Sequence, residues 1–376
     1  MASYDRFEGT KKFDSSFLND LGSAPSDEAD YLVMVAGAQP GLRVEITAQP
    51  VSIGRSQEQS LVFAADAALS RRHAQVCLRN GLAIVEDLGS TNGTFVNGAR
   101  IDSARQLAEG AVVKVGGQTF KYERRSREDV RQNEQLDRDL AKASSYVLSL
   151  LPEPQTSGAV RTDWKFVPSA RLGGDAFGYF WLDDRSFATF LIDVSGHGVG
   201  AAMHSVTVLN VLRQRALPGV DWHDPGSVLA TLNDRFQMDS HNGMLFTAWY
   251  GVYDAETRTI AYSAAGHHAA YLVAPDGGGP SPLGVKAMMI GAVPGLPYPV
   301  ARTSIPAGSS LYVFSDGVFE ITTTAGAGWS IADFLPLLTA RHDSLAESER
   351  LYRAVRDVAG QRALEDDVSI VVATFP

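Results

Sequence analysis

The sequence predicts a multidomain chain: an all-β sandwich, a helical linker, and a larger α+β domain. Three observations carry that expectation. At 376 residues the chain is longer than one ordinary core organises. Between Tyr31 and Tyr122 eight short apolar runs alternate with turn signals, and no helical stretch intervenes. Beyond Pro154, strand-like runs alternate with helix-like ones.

Residues 1–29 are rich in Ser, Asp, Gly and Pro with three isolated phenylalanines, and are expected to form a disordered tail. Residues 30–123 hold the eight runs, among them YLVMVAG, HAQVCLR, LAIVEDL and AVVKVGG, the pattern of a sandwich. Residues 124–153 turn highly charged, with Leu136, Leu140, Ala143, Val147 and Leu150 at spacings of four and three. A continuous helix from Arg124 to Leu151 would span roughly 40 Å before Pro152 and Pro154 stop it. Its seam fits either a homodimer, with Asn133 setting the register, or a helix packed on the next domain. Residues 154–376 form the last domain. Its runs at 244–253, 259–264 and 269–274 follow one another so closely that antiparallel pairing is expected.

Composition narrows the function. A net charge of −10 argues against nucleic acid or an anionic membrane as a partner. No run approaches the ~18 apolar residues of a membrane helix, and MASYDRFEGT has no apolar signal core. The single cysteine, Cys77, excludes an internal disulfide framework and reads as a small buried strand residue. A soluble, cytoplasmic protein is expected. The LRNGLAI that follows Cys77 lacks the arginine of a thiol-phosphatase loop, and neither a P-loop nor a GxSxG elbow occurs.

Three polar stretches interrupt the first domain: IGRS at 53–56, LSRRH at 69–73 and DLGSTNGTFVNG at 87–98. Sandwich topology can gather such loops at one end. There Arg55, Ser70 and Asn92 offer a guanidinium fork, a hydroxyl and an amide, the groups an anionic peptide needs. Three ordinary hairpins would also account for them. The order and spacing resemble the forkhead-associated (FHA) domain over residues 30 to 122. The resemblance implies an 11-strand sandwich that binds phosphothreonine peptides. Arg55 and Ser70 would then bind phosphate, assisted by Arg71 and Thr91. Asn92 would hold the peptide backbone, and Gly54 and His73 would shape the loops.

In the last domain Asp175, Asp193, Asp316 and Asp366 each abut a strand and a small or turn residue. Any one of them could simply cap a turn. A cluster of carboxylates becomes favourable around divalent cations, and hard oxygen ligands suit Mg²⁺ or Mn²⁺. Two such ions are a standard apparatus for hydrolysing phosphoesters. The stretches GGD, DVSGHGVGAAM, AGHHAAYL, SDGVFE and DDVSIVV resemble, in order, the SpoIIE/RsbU-type branch of metal-dependent protein phosphatases (PPM). That resemblance implies an αββα sandwich with a dimetal centre acting on phosphoserine or phosphothreonine proteins. Asp175, Asp193, Asp316, Asp366 and the Val194 carbonyl would hold two or more Mn²⁺ or Mg²⁺ ions, with Asp367 supporting them. The branch often reads GGDxxD, and here Gly178 stands at the second acidic position. His197 is a candidate proton donor or a loop residue, Arg171 a candidate phosphate contact, and His267 and His268 are expected to be structural.

Together the halves imply a protein phosphatase recruited or switched by a phosphothreonine-bearing protein or its kinase. A small anti-sigma-factor antagonist is the first substrate expected. Phosphorylated Thr10, in FEGTKKF, is a candidate ligand for the chain's own FHA site. The rivals are a phosphothreonine-binding scaffold with an inactive phosphatase fold, and a phosphodiesterase or nucleotide hydrolase using the same ions.

Overall fold

The structure, a computed structural model, describes residues 27–340, 345–360 and 362–376. Thr10 and all but the end of the expected tail lie outside these residues. The chain divides into two compact units, one ending at Asp137 and the other beginning at Arg138.

In the first unit eleven strands form two sheets. One sheet runs Arg43–Ile46, Glu28–Ala36, Gln118–Ser126, Val112–Val115, Thr94–Val96, Ala99–Arg100. The other runs Leu61–Val62, Val51–Gly54, Ala74–Arg79, Leu82–Asp87, Arg105–Gln106. Alternate side chains point between the sheets, so Leu32, Ile53, Val76, Val85, Val113, Val115 and Phe120 lose all contact with water. Cys77 is buried on Ala74–Arg79, as a small apolar residue would be.

The strand Glu28–Ala36 begins inside the segment read as tail, and the helix starts at Arg127, three residues later than expected. The cause is one antiparallel pairing. Glu28, Ala29 and Asp30 face Ser126, Arg125 and Arg124, which holds the last three extended. Buried Asp30 accepts from the Tyr122 hydroxyl and from the Arg124 guanidinium at 3.0 Å. Ser126 then caps the helix, its Oγ accepting from the amides of Glu128 and Asp129 at 3.1 and 3.2 Å.

The helix Arg127–Leu150 has 24 residues, about 36 Å of rise. Val130 is buried against Ala29 and Tyr31, and Arg127 pairs with Glu45 at 2.7 Å. The helix start therefore packs on the preceding sandwich, a surface the sequence reading did not consider. Farther along, Leu136, Tyr146 and Leu148 are exposed.

The second unit is built on two five-stranded sheets. The first runs Asp175–Trp181, Ser186–Val194, Phe246–Asp254, Thr259–Ala265, Ala301–Ser304. The second runs Arg161–Val167, Val368–Phe375, Ser309–Phe314, Ala270–Val273, Ser281–Leu283. Rings lock the sheets face to face, with Trp164 against Phe177 and Tyr253 against Phe375. Helices Val199–Arg213 and Pro225–Arg235 pack on the first sheet, and Glu347–Ala359 packs on the second. This order, helix, sheet, sheet, helix, is the expected α+β sandwich. It explains why FATFLI reads as an unbroken apolar run: its strand is covered on both faces.

The three closely spaced runs pair antiparallel, as expected, but not all with one another. Phe246–Asp254 and Thr259–Ala265 do form an antiparallel pair. Ala270–Val273, however, crosses to the other sheet and pairs with Ser309–Phe314. The crossing segment begins at Gly266, whose φ of 68° suits glycine and turns the chain between the layers.

Candidate functional site

In the first unit the three polar loops do converge. They line a cavity of about 510 Å³ that includes Arg55, Ser70, Arg71, Arg72, Thr91 and Asn92. Backbone bonds knit the loops together: Arg55 N donates to Ser70 O at 3.0 Å and Ser56 N to Arg71 O at 3.1 Å. Buried His73 fixes them further, its Nδ1 accepting from Ser70 N at 3.1 Å and its other nitrogen 3.1 Å from Gly93 O. Gly54 must lack a side chain, because a Cβ there would overlap the Arg71 carbonyl. Ser70 Oγ accepts from Thr91 N at 3.0 Å, and Asn92 Nδ2 donates to Ala68 O at 2.7 Å. None of Arg55, Arg71 and Arg72 pairs with a carboxylate among the described residues. The cavity is thus lined with cationic and polar groups suited to an anionic peptide. Arg72 was missed by the sequence reading, although it adjoins Arg71 in the same loop.

In the second unit the aspartates meet at one end of the two sheets. Asp175 and Asp193 are opposite each other in the ladder between Asp175–Trp181 and Ser186–Val194, which brings their Cβ atoms to about 5 Å. Asp175 shares its strand face with Phe177, whose ring packs on Trp164 and Phe166 of the second sheet. It therefore points between the layers, toward the ends of Ser309–Phe314 and Val368–Phe375. Asp316 and Asp366 follow and precede those ends. They are tied together where Ser315 N donates to Ser369 O at 3.0 Å.

Burial raises all four carboxyls, and neighbouring carboxylates add to the rise at Asp175, Asp193 and Asp316. Burial, then the Asp193 charge, pushes Asp175 well above the carboxylate range. Burial raises Asp193 to about 7, with Asp316 and Asp366 adding to it. Asp316 rises to about 6 through burial and then Asp366. Asp366 rises as well, desolvation first, even though the residue as a whole is exposed. Four carboxyls held together against their charge are a donor set for a hard cation. Asp175 Oδ2, buried with no hydrogen-bond partner, is the orphaned atom such a cation would satisfy. Among the described residues no three His, Cys, Asp or Glu side chains already converge as a finished ligand group.

Asp367 has a different environment from its neighbour. It is 4% exposed and accepts four hydrogen bonds from Ser169, Gly174 and Asp175. Its supporting place is as expected; Ser169, Ser315 and Ser369 carry no signal in the sequence, because their bonds to it and to one another close over long stretches of chain.

Gly178 lies an odd number of residues from Asp175 and so faces the helix layer, away from the carboxylates. A Cβ there would come within 2.5 Å of the Phe190 ring. His197 is exposed, and its charge lowers the Asp366 pKa, so it stands beside the cluster. Arg171 is exposed on the loop before Asp175. His267 is buried in the crossing segment, and the His268 ring packs on Phe314 and Phe319.

The family description of Stage II sporulation protein E (SpoIIE) matches residues 183–376, and that of the FHA domain matches residues 51–116. Asp175 precedes the first match, so its membership of the cluster rests on the ladder with Asp193. FhaB of Mycobacterium tuberculosis, an FHA domain-containing protein, is 43% identical over 88 residues, 23% of this chain and 56% of that protein. Phosphoserine phosphatase RsbP of Bacillus subtilis is 27% identical over 191 residues, 50% of this chain and 46% of that protein. The chain thus spans about half the length of these relatives. The solved SiaA-PP2C domain of Pseudomonas aeruginosa superposes with a TM-score of 0.58 at 20% identity, covering 65% of this chain and 99% of that domain. At that identity the likeness concerns the fold.

Proposed function

The chain belongs to the SpoIIE family and carries an FHA domain; from that membership we propose a metal-dependent serine/threonine protein phosphatase governed by phosphothreonine recognition. The observation that carries the reading is the set of Asp175, Asp193, Asp316 and Asp366 at neighbouring strand ends, each raised first by burial, with Asp175 Oδ2 unpartnered among the described residues. These carboxylates, with the Val194 carbonyl, would hold two or more Mn²⁺ or Mg²⁺ ions. Bound there, the cations would supply an activated water and neutralise the phosphoryl oxygens.

The chain's own residues do the rest. Gly174 leaves room beside the Val194 carbonyl, which would lie 2.9 Å from any Cβ at that position. The two sheets hold the aspartates on rigid strand ends, so little reorganisation accompanies the reaction. His197, exposed and felt electrostatically by Asp366, would give a proton to the leaving serine or threonine oxygen or else serve only the loop. In the first unit Arg55, Ser70, Arg71 and Thr91 take the phosphate of a phosphothreonine and Asn92 its backbone. The substrate is a phosphoprotein, with a small anti-sigma-factor antagonist the first candidate. A phosphorylated partner or kinase occupies the FHA site, and the linker helix, on which Leu136 of the seam is exposed, supplies a homodimer contact.

Phosphate release from phosphoserine and phosphothreonine proteins tests the enzyme half. Release with Mn²⁺, lost on chelation and reduced more than about 100-fold in Asp193→Asn, is expected. Release that ignores both chelation and the substitution would sink the metal-dependent reading. Fluorescence anisotropy tests the other half: a phosphothreonine peptide should bind, its unphosphorylated form should not, and Arg55→Ala should lose the difference.

A further inference from the structure

Two neighbouring carboxylates in the second unit are satisfied in opposite ways. Asp175 Oδ2 is buried and meets no partner in good hydrogen-bond geometry among the described residues. Asp367 is equally buried, and both its oxygens are engaged. Oδ1 accepts from Ser169 N at 2.7 Å and Ser169 Oγ at 2.9 Å. Oδ2 accepts from Gly174 N at 2.6 Å and Asp175 N at 3.4 Å. Burying a carboxyl beside Asp175, Asp193 and Asp366 is costly, and these donors offset the cost. A carboxylate so engaged has little left to offer a cation.

The main chain of Asp367 is engaged as fully as its side chain. Its amide donates to Asp366 Oδ1 at 2.8 Å, and its carbonyl accepts from Ser315 Oγ at 2.9 Å. Ser315 Oγ in turn accepts from Ser369 N at 2.9 Å. Every stretch that brings an aspartate from the second sheet or the GGD turn is therefore bonded to this one residue. Two glycines make the approach possible. A Cβ on Gly173 would sit 2.5 Å from Asp367 Oδ2, and one on Gly317 would overlap the Asp367 carbonyl.

We propose that Asp367 is the positioning residue of the carboxylate site, anchoring the GGD turn, the Ser315–Asp316 turn and Asp366 in register, with Gly173 and Gly317 the notches that admit it. The proposal rests on the phosphatase reading above and deepens it. Asp367 binds no cation. It sets where Asp175, Asp316 and Asp366 stand, and so how tightly a cation is held. The two glycines flanking Asp175 and Asp316 thus serve close approach, since neither needs a left-handed backbone.

The test uses the full chain and reads Mn²⁺ binding by calorimetry beside kcat, KM and melting temperature. Asp367→Asn replaces one acceptor oxygen with a donor facing a backbone N–H. It should weaken Mn²⁺ binding about 10- to 100-fold, lower kcat and leave KM for the phosphoprotein unchanged. Gly173→Ala displaces the same carboxylate and should do the same, and the double variant should be little worse than either single one. Ser315→Ala, a milder loss that keeps the carboxylate, should weaken Mn²⁺ binding in the same direction and serves if the others fail to fold. Variants that melt lower yet bind Mn²⁺ as the wild type does would overturn the proposal and leave Asp367 a purely structural residue. Additive losses in the double variant would overturn the shared anchor. A wild type that binds no Mn²⁺ would overturn the phosphatase reading along with it, so the two failures are distinguishable.

Discussion

At Gly178 the strand presents no side chain to the helix layer, and the Phe190 ring fills the space. An acidic residue restored there would not reach the carboxylate cluster, because it would point to the opposite face of the strand. Gly178→Asp is therefore expected to destabilise the second unit by about 3 kcal/mol, from overpacking against Phe190 and an unpaired buried carboxylate. Denaturant unfolding measures this, and an unchanged or raised stability would contradict the packing argument. That Gly178 faces away was legible in the sequence, since positions 175 and 178 differ by an odd number on a strand. The bonds of Asp367 were not, because Ser169 and Gly174 lie 198 and 193 residues from it. Only the closed sheets show that contact. The four aspartates themselves were legible because each sits at the end of an apolar run, where a strand must stop.

At the scale of elements, two joints decide how the pieces hold. The first is the start of the linker helix, where Val130 docks on Ala29 and Tyr31 and Arg127 on Glu45. Val130→Asp should free the first turns of that helix. Amide exchange across them should quicken while the melting of the second unit stays unchanged, and unchanged exchange would show that the clasp does not depend on Val130. The sequence indicated the helix but misplaced its start, because Arg124, Arg125 and Ser126 carry no local signal against a strand. Their extended form comes from pairing with Glu28–Asp30, nearly a hundred residues away.

The second joint is the crossing segment between the sheets. Burial, then the His268 charge, lowers the His267 pKa to about 3, so the folded chain keeps that ring neutral. The unfolded chain protonates it below about 6.5. The stability this neutral ring permits at pH 7 is therefore lost as pH falls from about 6.5 toward 3. Between pH 7 and pH 5 its share is about 2 kcal/mol. Unfolding of wild type and His267→Gln at both pH values checks it: the wild type should lose that much more than the variant. Equal losses would mean that His267 does not set the slope.

At the scale of the whole molecule, arginines and polar groups line the cavity of the first unit, and the aspartate cluster lies in the second. One suits an anionic peptide, and the other suits cations that in turn attract a phosphoryl group. This complementarity stands within a chain of net charge −10. The linker helix can act in two ways. It can hold a bound phosphoprotein near the carboxylates, which raises local concentration, or it can bias the second unit between two states, which requires that peptide affinity differ between them. Recruitment would raise turnover only for a substrate that the peptide site holds. Switching would change turnover for every substrate.

The most direct measurement is Mn²⁺-dependent phosphate release from a phosphoserine protein by the full chain, with and without a separate phosphothreonine peptide, beside Asp193→Asn. The account predicts release that needs Mn²⁺, disappears in the variant and changes when the peptide is added. No release from any phosphoprotein, with peptide binding intact, would contradict it and leave a phosphothreonine-binding scaffold.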